Sequence, residues 1–218
     1  MWYELHRTDK SVKGANGGGI AIGVINEFEP SLISEGNDDT EVINVEVWLE
    51  GFPTRLICGY GPQETDPKDR KDKYWEYLNV ETQNATNEGA GVIIQMDGNI
   101  WAGKNIIPDD PNKQNQNGRM FENFLFKNPN LTVVNATSKC EGKITRERNT
   151  TRRAEKAILD FFIVCEKILP LVSNMVIDEK GENALVRYKG GQIVKADHNM
   201  LKLELNINIH EKKDHNRI

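Results

Sequence analysis

The sequence predicts an α/β fold built on sheets of mixed or antiparallel strands. Three observations carry this. Apolar runs of strand length outnumber helical segments, several of them lie close enough to pair as hairpins, and helical spacing is confined to two stretches, Lys68 to Asn84 and Arg119 to Leu125. At 218 residues, with 38% hydrophobic and 28% charged residues, the chain suffices for one domain with a core under two or more layers. That domain is expected over residues 1–209, with residues 210–218 as a polar tail.

In chain order, the glycines from Gly17 to Gly19 feed the apolar run Ile20 to Ile25, a flexible turn entering a strand. Three glycines can cradle a phosphate, but no Lys-Ser/Thr follows and the next run is strand-like, so the turn reading is preferred. The runs Glu41 to Leu49 and Thr54 to Pro62, separated by Gly51-Phe52-Pro53, read as an antiparallel hairpin. Asp66 is placed to cap the first helix and Pro67 suits its first position; Tyr74, Trp75, Tyr77 and Leu78 supply its apolar spacing. Gly91 to Ile94 reads as a buried strand. A polar loop from Lys104 to Asn117 leads to the second helix, which Asn128-Pro129 ends. Strands are expected at Leu131 to Asn135, Ala157 to Cys165, Asn174 to Asp178, Ala184 to Tyr188 and Leu201 to Ile209.

Composition excludes more than it names. No apolar segment approaches the ~20 residues of a membrane helix, and Met1 to Arg7 lacks the apolar core of a signal peptide. The Asn-x-Thr triplets at Asn84, Asn130, Asn135 and Asn149 are then chance occurrences. Cys58, Cys140 and Cys165 form no Cys-x-x-Cys pair, which suits reduced thiols, argues against a zinc site and leads us to expect an intracellular protein of nucleus or cytoplasm. With a formal charge of -5, affinity for nucleic acid has to come from a local patch. The stretch Lys143 to Lys156, holding Arg146, Arg148, Arg152 and Arg153, is either a solvated loop or that patch.

Three polar constellations stand out. Asp97-Gly98-Asn99 follows the strand at Gly91, so a carboxylate and an amide can project into one cleft; the same residues are also the commonest turn formers. Asp160 falls within the most apolar run of the chain, where a carboxylate needs a partner, either backbone N–H groups or a histidine that it orients. Asp197-His198 precedes the last strand, and His198 is the one histidine away from the chain ends; a lone histidine is also a common structural residue.

Taken in order, a strand ending at Tyr60 before Pro62, the Asp97-x-Asn99 pair, Leu159-Asp160-Phe161-Phe162, and Asp197-His198 resemble the endonuclease/exonuclease/phosphatase superfamily. The likeness is greatest to the apurinic-type endonuclease domains of non-LTR retrotransposons, with further echoes in Gly17-Gly18-Gly19-Ile20-Ala21-Ile22 and Asn117-Gly118-Arg119. The resemblance runs from about Arg7 to Leu205. It implies a four-layer α/β sandwich, two mixed sheets flanked by helices, with Mg²⁺-assisted (or Mn²⁺-assisted) phosphodiester hydrolysis at the sheets' ends and DNA as partner. By the same resemblance Asp97 orients or deprotonates the attacking water, Asn99 holds it or a phosphate oxygen, and Tyr60 touches the phosphate. His198 stabilises the developing negative charge, Asp160 fixes its tautomer, and Asp197 lies near the metal. Independently of the family, a phosphorane carries extra negative charge, so a site for it needs a cation and donors placed in advance.

The departures are equally specific. The family's N-terminal Asn and metal-binding Glu precede the Gly-rich strand, and here Glu4 and Asp9 are the acids before it, neither in the expected motif; this leads us to expect an N-terminally truncated sandwich. Ala196 stands where a Ser is usual, and Met96-Asp97-Gly98-Asn99 replaces the usual Gly-Asp-Phe-Asn. The expected function is a DNA-nicking endonuclease of reduced activity. The alternatives are an inactive nuclease-fold module that binds nucleic acid or protein, and a hydrolase of phosphoinositides or small phosphodiesters. A second chain or a further N-terminal segment could complete the sheet.

Overall fold

The computed structural model describes residues 1–6, 19–149, 154–183, 186–189 and 192–207. Along them run β1 (Trp2–His6), β2 (Gly19–Gly23), β3 (Ser31–Glu35), β4 (Val42–Leu49), β5 (Phe52–Tyr60), α1 (Lys68–Asn87) and β6 (Gly91–Asp97). There follow α2 (Gln116–Lys127), β7 (Leu131–Val133), β8 (Cys140–Glu141), β9 (Arg146–Asn149), β10 (Ala154–Ala157) and β11 (Asp160–Cys165). The last strands are β12 (Val172–Ile177), β13 (Val186–Lys189), β14 (Gln192–Lys195) and β15 (Leu201–Leu205). The main sheet has the order β3-β4-β5-β6-β11-β7, and a second has the order β15-β12-β8; β1-β2, β9-β10 and β13-β14 are two-stranded pairs. In the main sheet β5 and β6 are parallel, and the other neighbours antiparallel. The expected α/β class with mixed sheets is observed.

The expected hairpin is β4-β5. Its two-residue turn places Glu50 at φ 50° and Gly51 at φ 80°, the left-handed pair whose twist matches that of the strands. Across the parallel ladder Gly59 lies beside Met96, and a Cβ on Gly59 would come within 2.5 Å of the Tyr74 hydroxyl; glycine is what lets α1 approach the sheet there.

Both helices cover one face of the main sheet. Phe161 is the register partner of Met96, so the two share a face. Tyr74 of α1 reaches Met96, and Phe121 of α2 packs on Phe161 at 5.3 Å between ring centroids. Trp75 joins the helices, 5.9 Å from Phe121 and 5.8 Å from Phe124. A fully buried side chain such as Phe121 contributes roughly 1.5–3 kcal/mol relative to exposure. Alternation then dictates what the other face holds: Cys58, Gln95 and Phe162 in one row, Tyr60, Asp97 and Asp160 in the next. Val172, Met175 and Ile177 of β12 extend the same core.

Several boundaries differ from the sequence reading. Asp66 does not cap α1: its carboxylate accepts from the Gln63 N–H (2.8 Å), and Pro67 occupies the cap position. Helix α2 starts at Gln116, capped by the Asn115 side chain, which accepts from the Gly118 N–H at 2.8 Å. The run from Ala157 to Cys165 is not one strand. It breaks at Ile158-Leu159, because the buried Thr145 hydroxyl accepts from the Leu159 N–H (2.8 Å) and the Asp160 N–H (3.1 Å). Asp160 is thus the first residue of β11 and not its middle. Within the basic stretch β9 and β10 pair antiparallel, with Arg152 and Arg153 outside the described residues, as are the tail and Gly17-Gly18.

Candidate active site

The strand register assembles one wall of the site. Tyr60 of β5, Asp97 of β6 and Asp160 of β11 are successive partners across three strands, so their side chains emerge on one face at one end of the sheet. The turn beyond Asp97 is held on both sides: Gly61 N–H donates to the Asp97 carbonyl (2.7 Å) and Gly98 N–H to the Leu159 carbonyl (2.7 Å). Asn99 takes φ 48°, a left-handed conformation that Asn tolerates better than most residues. Its N–H donates to Asp97 Oδ1 (3.1 Å) and its Nδ2 to the Gly61 carbonyl (2.8 Å).

The second wall comes from β9 and the segment at 197–199. Glu147 N–H donates to the Asp197 carbonyl (2.8 Å), Asn199 N–H to the Thr145 carbonyl (2.7 Å), and Arg146 and His198 form a β-bridge. Asn199 Nδ2 adds a bond to the Ile144 carbonyl (2.7 Å). This pairing brings His198 over the sheet end. Its Nδ1 lies 3.0 Å from Asp160 Oδ2 and 3.2 Å from Oδ1, and its Nε2 lies 3.9 Å from Asp97 Oδ2. An Nδ1–H held by a carboxylate fixes the ring and directs Nε2 into the cleft. Asp197 points to Arg146, with Nε 3.1 Å from Oδ2.

The electrostatics follow from this packing. Burial, then the neighbouring Asp160, push the Asp97 carboxyl up to about 6, against the charges of His198 and Arg146 and the Asn99 N–H. The hydrogen bond to Asp160 holds the His198 imidazole above its ordinary range despite burial, aided by the charges of Asp160, Asp97 and Asp197. Burial works to raise Asp197, but the Arg146 hydrogen bond, a backbone bond and the nearby positive charges outweigh it and hold it low.

Tyr60, Asp97, Asn99, His198, Arg146 and Arg148 line a single cleft of about 600 Å³, which Trp101 and the Gln63-Glu64 loop also border. The structure therefore brings together residues spread over most of the chain. Asp160 stands behind His198, and Asp197 beside Arg146. Asp97, Asp160 and His198 offer ligand atoms within 4.8 Å of one another, a group able to hold a metal ion. The sequence reading missed Thr145 and Asn199, which join the two walls; Asn117, named there only within a family echo, has a buried Nδ2 that donates to the Pro62 (2.6 Å) and Asn99 (3.3 Å) carbonyls. Adjacency of Asn199 to His198 was the only local signal.

Comparison with solved structures finds the same fold in endonuclease/exonuclease/phosphatase proteins. The endonuclease domain of TRAS1, a telomere-specific non-LTR retrotransposon, aligns over 94% of this chain and 80% of its own, at 15% identity and TM-score 0.56. The 3'-5' exonuclease NExo of Neisseria meningitidis aligns over 76% of this chain at 17% identity and TM-score 0.54, the alignment covering 64% of NExo. TDP2 of D. rerio, solved with a single-strand DNA product, aligns over 93% of this chain and 75% of its own, at 13% identity and TM-score 0.57. No family model and no curated protein matches the sequence. Among the described residues no helix is long and apolar enough to cross a membrane.

Proposed function

We propose that the chain is a metal-assisted phosphodiester hydrolase that nicks DNA, of the kind found in retrotransposon endonuclease domains. The observation that carries this reading is His198, clamped through Nδ1 by Asp160 and presenting Nε2 3.9 Å from Asp97 at the floor of a cleft flanked by Arg146 and Arg148. A hydrogen-bond donor, a carboxylate base and guanidinium groups then face one volume, which is what in-line attack of water on a phosphate requires. Asp97 orients the attacking water. Asn99 holds that water or a phosphate oxygen. His198 Nε2–H donates to the phosphate oxygen on which charge grows, Tyr60 contacts the same group, and Arg148 holds the strand electrostatically.

The donor set suits a hard divalent cation such as Mg²⁺. Asp97 Oδ1 is engaged by the Asn99 N–H, and Oδ2 lies 3.9 Å from His198 Nε2. Asp97 would hold the ion, with Asn99 beside it, and the ion would supply Lewis-acid stabilisation of phosphate charge; Asp197, expected near the metal, has its carboxylate on Arg146 (3.1 Å). Glu4, the described acid nearest the family's metal-binding Glu in sequence, sits on β1 against His6 (2.9 Å).

Supercoiled plasmid with Mg²⁺ tests the reading. The chain is expected to nick it, with Asp97→Asn and His198→Ala each slowing the reaction by about 10²–10³-fold, the usual loss for one preorganised electrostatic group. Nicking that is equal in wild type and both variants overturns it.

A further inference from the structure

Trp101 takes no part in the chemistry above, yet it is 45% exposed at the mouth of that cleft. It also borders a second cleft of about 370 Å³, lined by Pro111, Asn112, Arg146, Glu155, Lys156 and Ala157, so Trp101, like Arg146, is shared by the two. Its backbone is fixed. The Trp101 N–H donates to Asn115 Oδ1 (3.2 Å), and its carbonyl accepts from the Asn115 N–H (3.2 Å), on the residue that caps α2. At Gly118 a Cβ would come within 2.1 Å of the same carbonyl, so the first turn of α2 packs directly on this loop. The other exposed tryptophans, Trp2 and Trp48, border neither cleft.

A rigidly mounted, solvent-facing indole between cationic groups, with Arg148 on one side and Lys156 on the other, matches the physics of a base-stacking platform. Resting on the phosphodiesterase reading above, we infer that Trp101 stacks on an unpaired nucleobase next to the scissile phosphate, the strand passing from the His198 cleft over the indole into the Lys156 cleft. An indole takes a base face only where no neighbouring base occupies it. The favoured substrate is therefore single-stranded or locally unpaired DNA.

Binding of a short single-stranded oligonucleotide carrying 2-aminopurine, measured on the full chain in metal-free buffer, separates stacking from catalysis. Wild type is expected to quench the probe. Trp101→Ala weakens binding by roughly 5- to 150-fold, the range for loss of one base–aromatic stack, and Trp101→Phe retains most of the affinity. Equal affinity of wild type and Trp101→Ala overturns the inference. If no oligonucleotide binds, it also fails, and hydrolysis of bis(p-nitrophenyl) phosphate with Mg²⁺ then distinguishes the cases: turnover keeps the phosphodiesterase and removes only the stacking, while no turnover removes both.

Discussion

The two walls of the cleft are built on different physics. Tyr60, Asp97 and Asp160 stand at the ends of three register-matched strands, and the residues just behind Asp97 and Asp160, Met96 and Phe161, lie under the helices at 2% and 0% exposure. The opposite wall is Arg146, Asp197 and His198. It is held by β-bridge and side-chain hydrogen bonds to residues 144–147. The sheet wall is positioned by the core, and the histidine wall by a few polar ties, so catalytic geometry should fail first on the histidine side.

Thr145 is the strongest of those ties. Its hydroxyl, at 0% exposure, accepts two backbone N–H groups where β11 begins, while its carbonyl takes the Asn199 N–H. Thr145→Val keeps the shape and leaves the buried Leu159 N–H and the part-buried Asp160 N–H without this acceptor, at about 1–3 kcal/mol. Urea denaturation measures this. A loss below about 1 kcal/mol would mean that the walls are joined by something other than this hydroxyl.

The sheet wall carries its own cost, and pH exposes it. The Asp97 carboxyl is raised from 3.8 to about 6 by burial and Asp160. A carboxyl whose folded pKa is raised stabilises the fold below the unfolded pKa, and that contribution is lost as pH rises through about 6. The shift corresponds to at most about 3 kcal/mol. His198, also raised, loses its contribution in the same direction as it deprotonates. In metal-free buffer Asp97→Asn should therefore be more stable than wild type at pH 7–8, with the gap closing toward pH 4. A gap independent of pH would show that the charge of Asp97 is not desolvated.

The same contrast explains what could be read from sequence. Local signals marked the sheet wall without settling it: Asp97-Gly98-Asn99 after an apolar strand, Tyr60 at a strand end, and Asp160 in an apolar run are patterns of period and polarity, but the first also fits a turn and the last put Asp160 inside its strand and not at its start. Asp160 as the partner of His198, one of two options open from the sequence, is the one the coordinates show, at 3.0 Å. The break at Ile158-Leu159 escaped because its cause, Thr145, is 15 residues from Asp160 in sequence. Asp66 looked like a cap by position, but the competing Gln63 N–H took its carboxylate. The β9-β10 pairing hid behind charge, since Arg146 to Asn149 shows no apolar alternation. What long-range hydrogen bonds decide leaves little trace in local periodicity.

Asp160→Asn tests the joint between the walls with the smallest change. The amide oxygen can still accept the His198 Nδ1–H, so ring placement survives, but the charge that raises the imidazole is gone. Loss of a charge-assisted hydrogen bond, about 1.5–3 kcal/mol, predicts a fall in kcat on the order of 10- to 100-fold with KM little changed. NMR titration of the His198 ring should show its pKa moving down, and the alkaline limb of the pH–rate profile should move with it, because the protonated donor is lost sooner as pH rises. A variant with reduced kcat but an unmoved His198 titration would mean that Asp160 acts by holding the strand end and not through the histidine. The histidine wall would then owe its placement to the backbone ties at Thr145 and Asn199 alone.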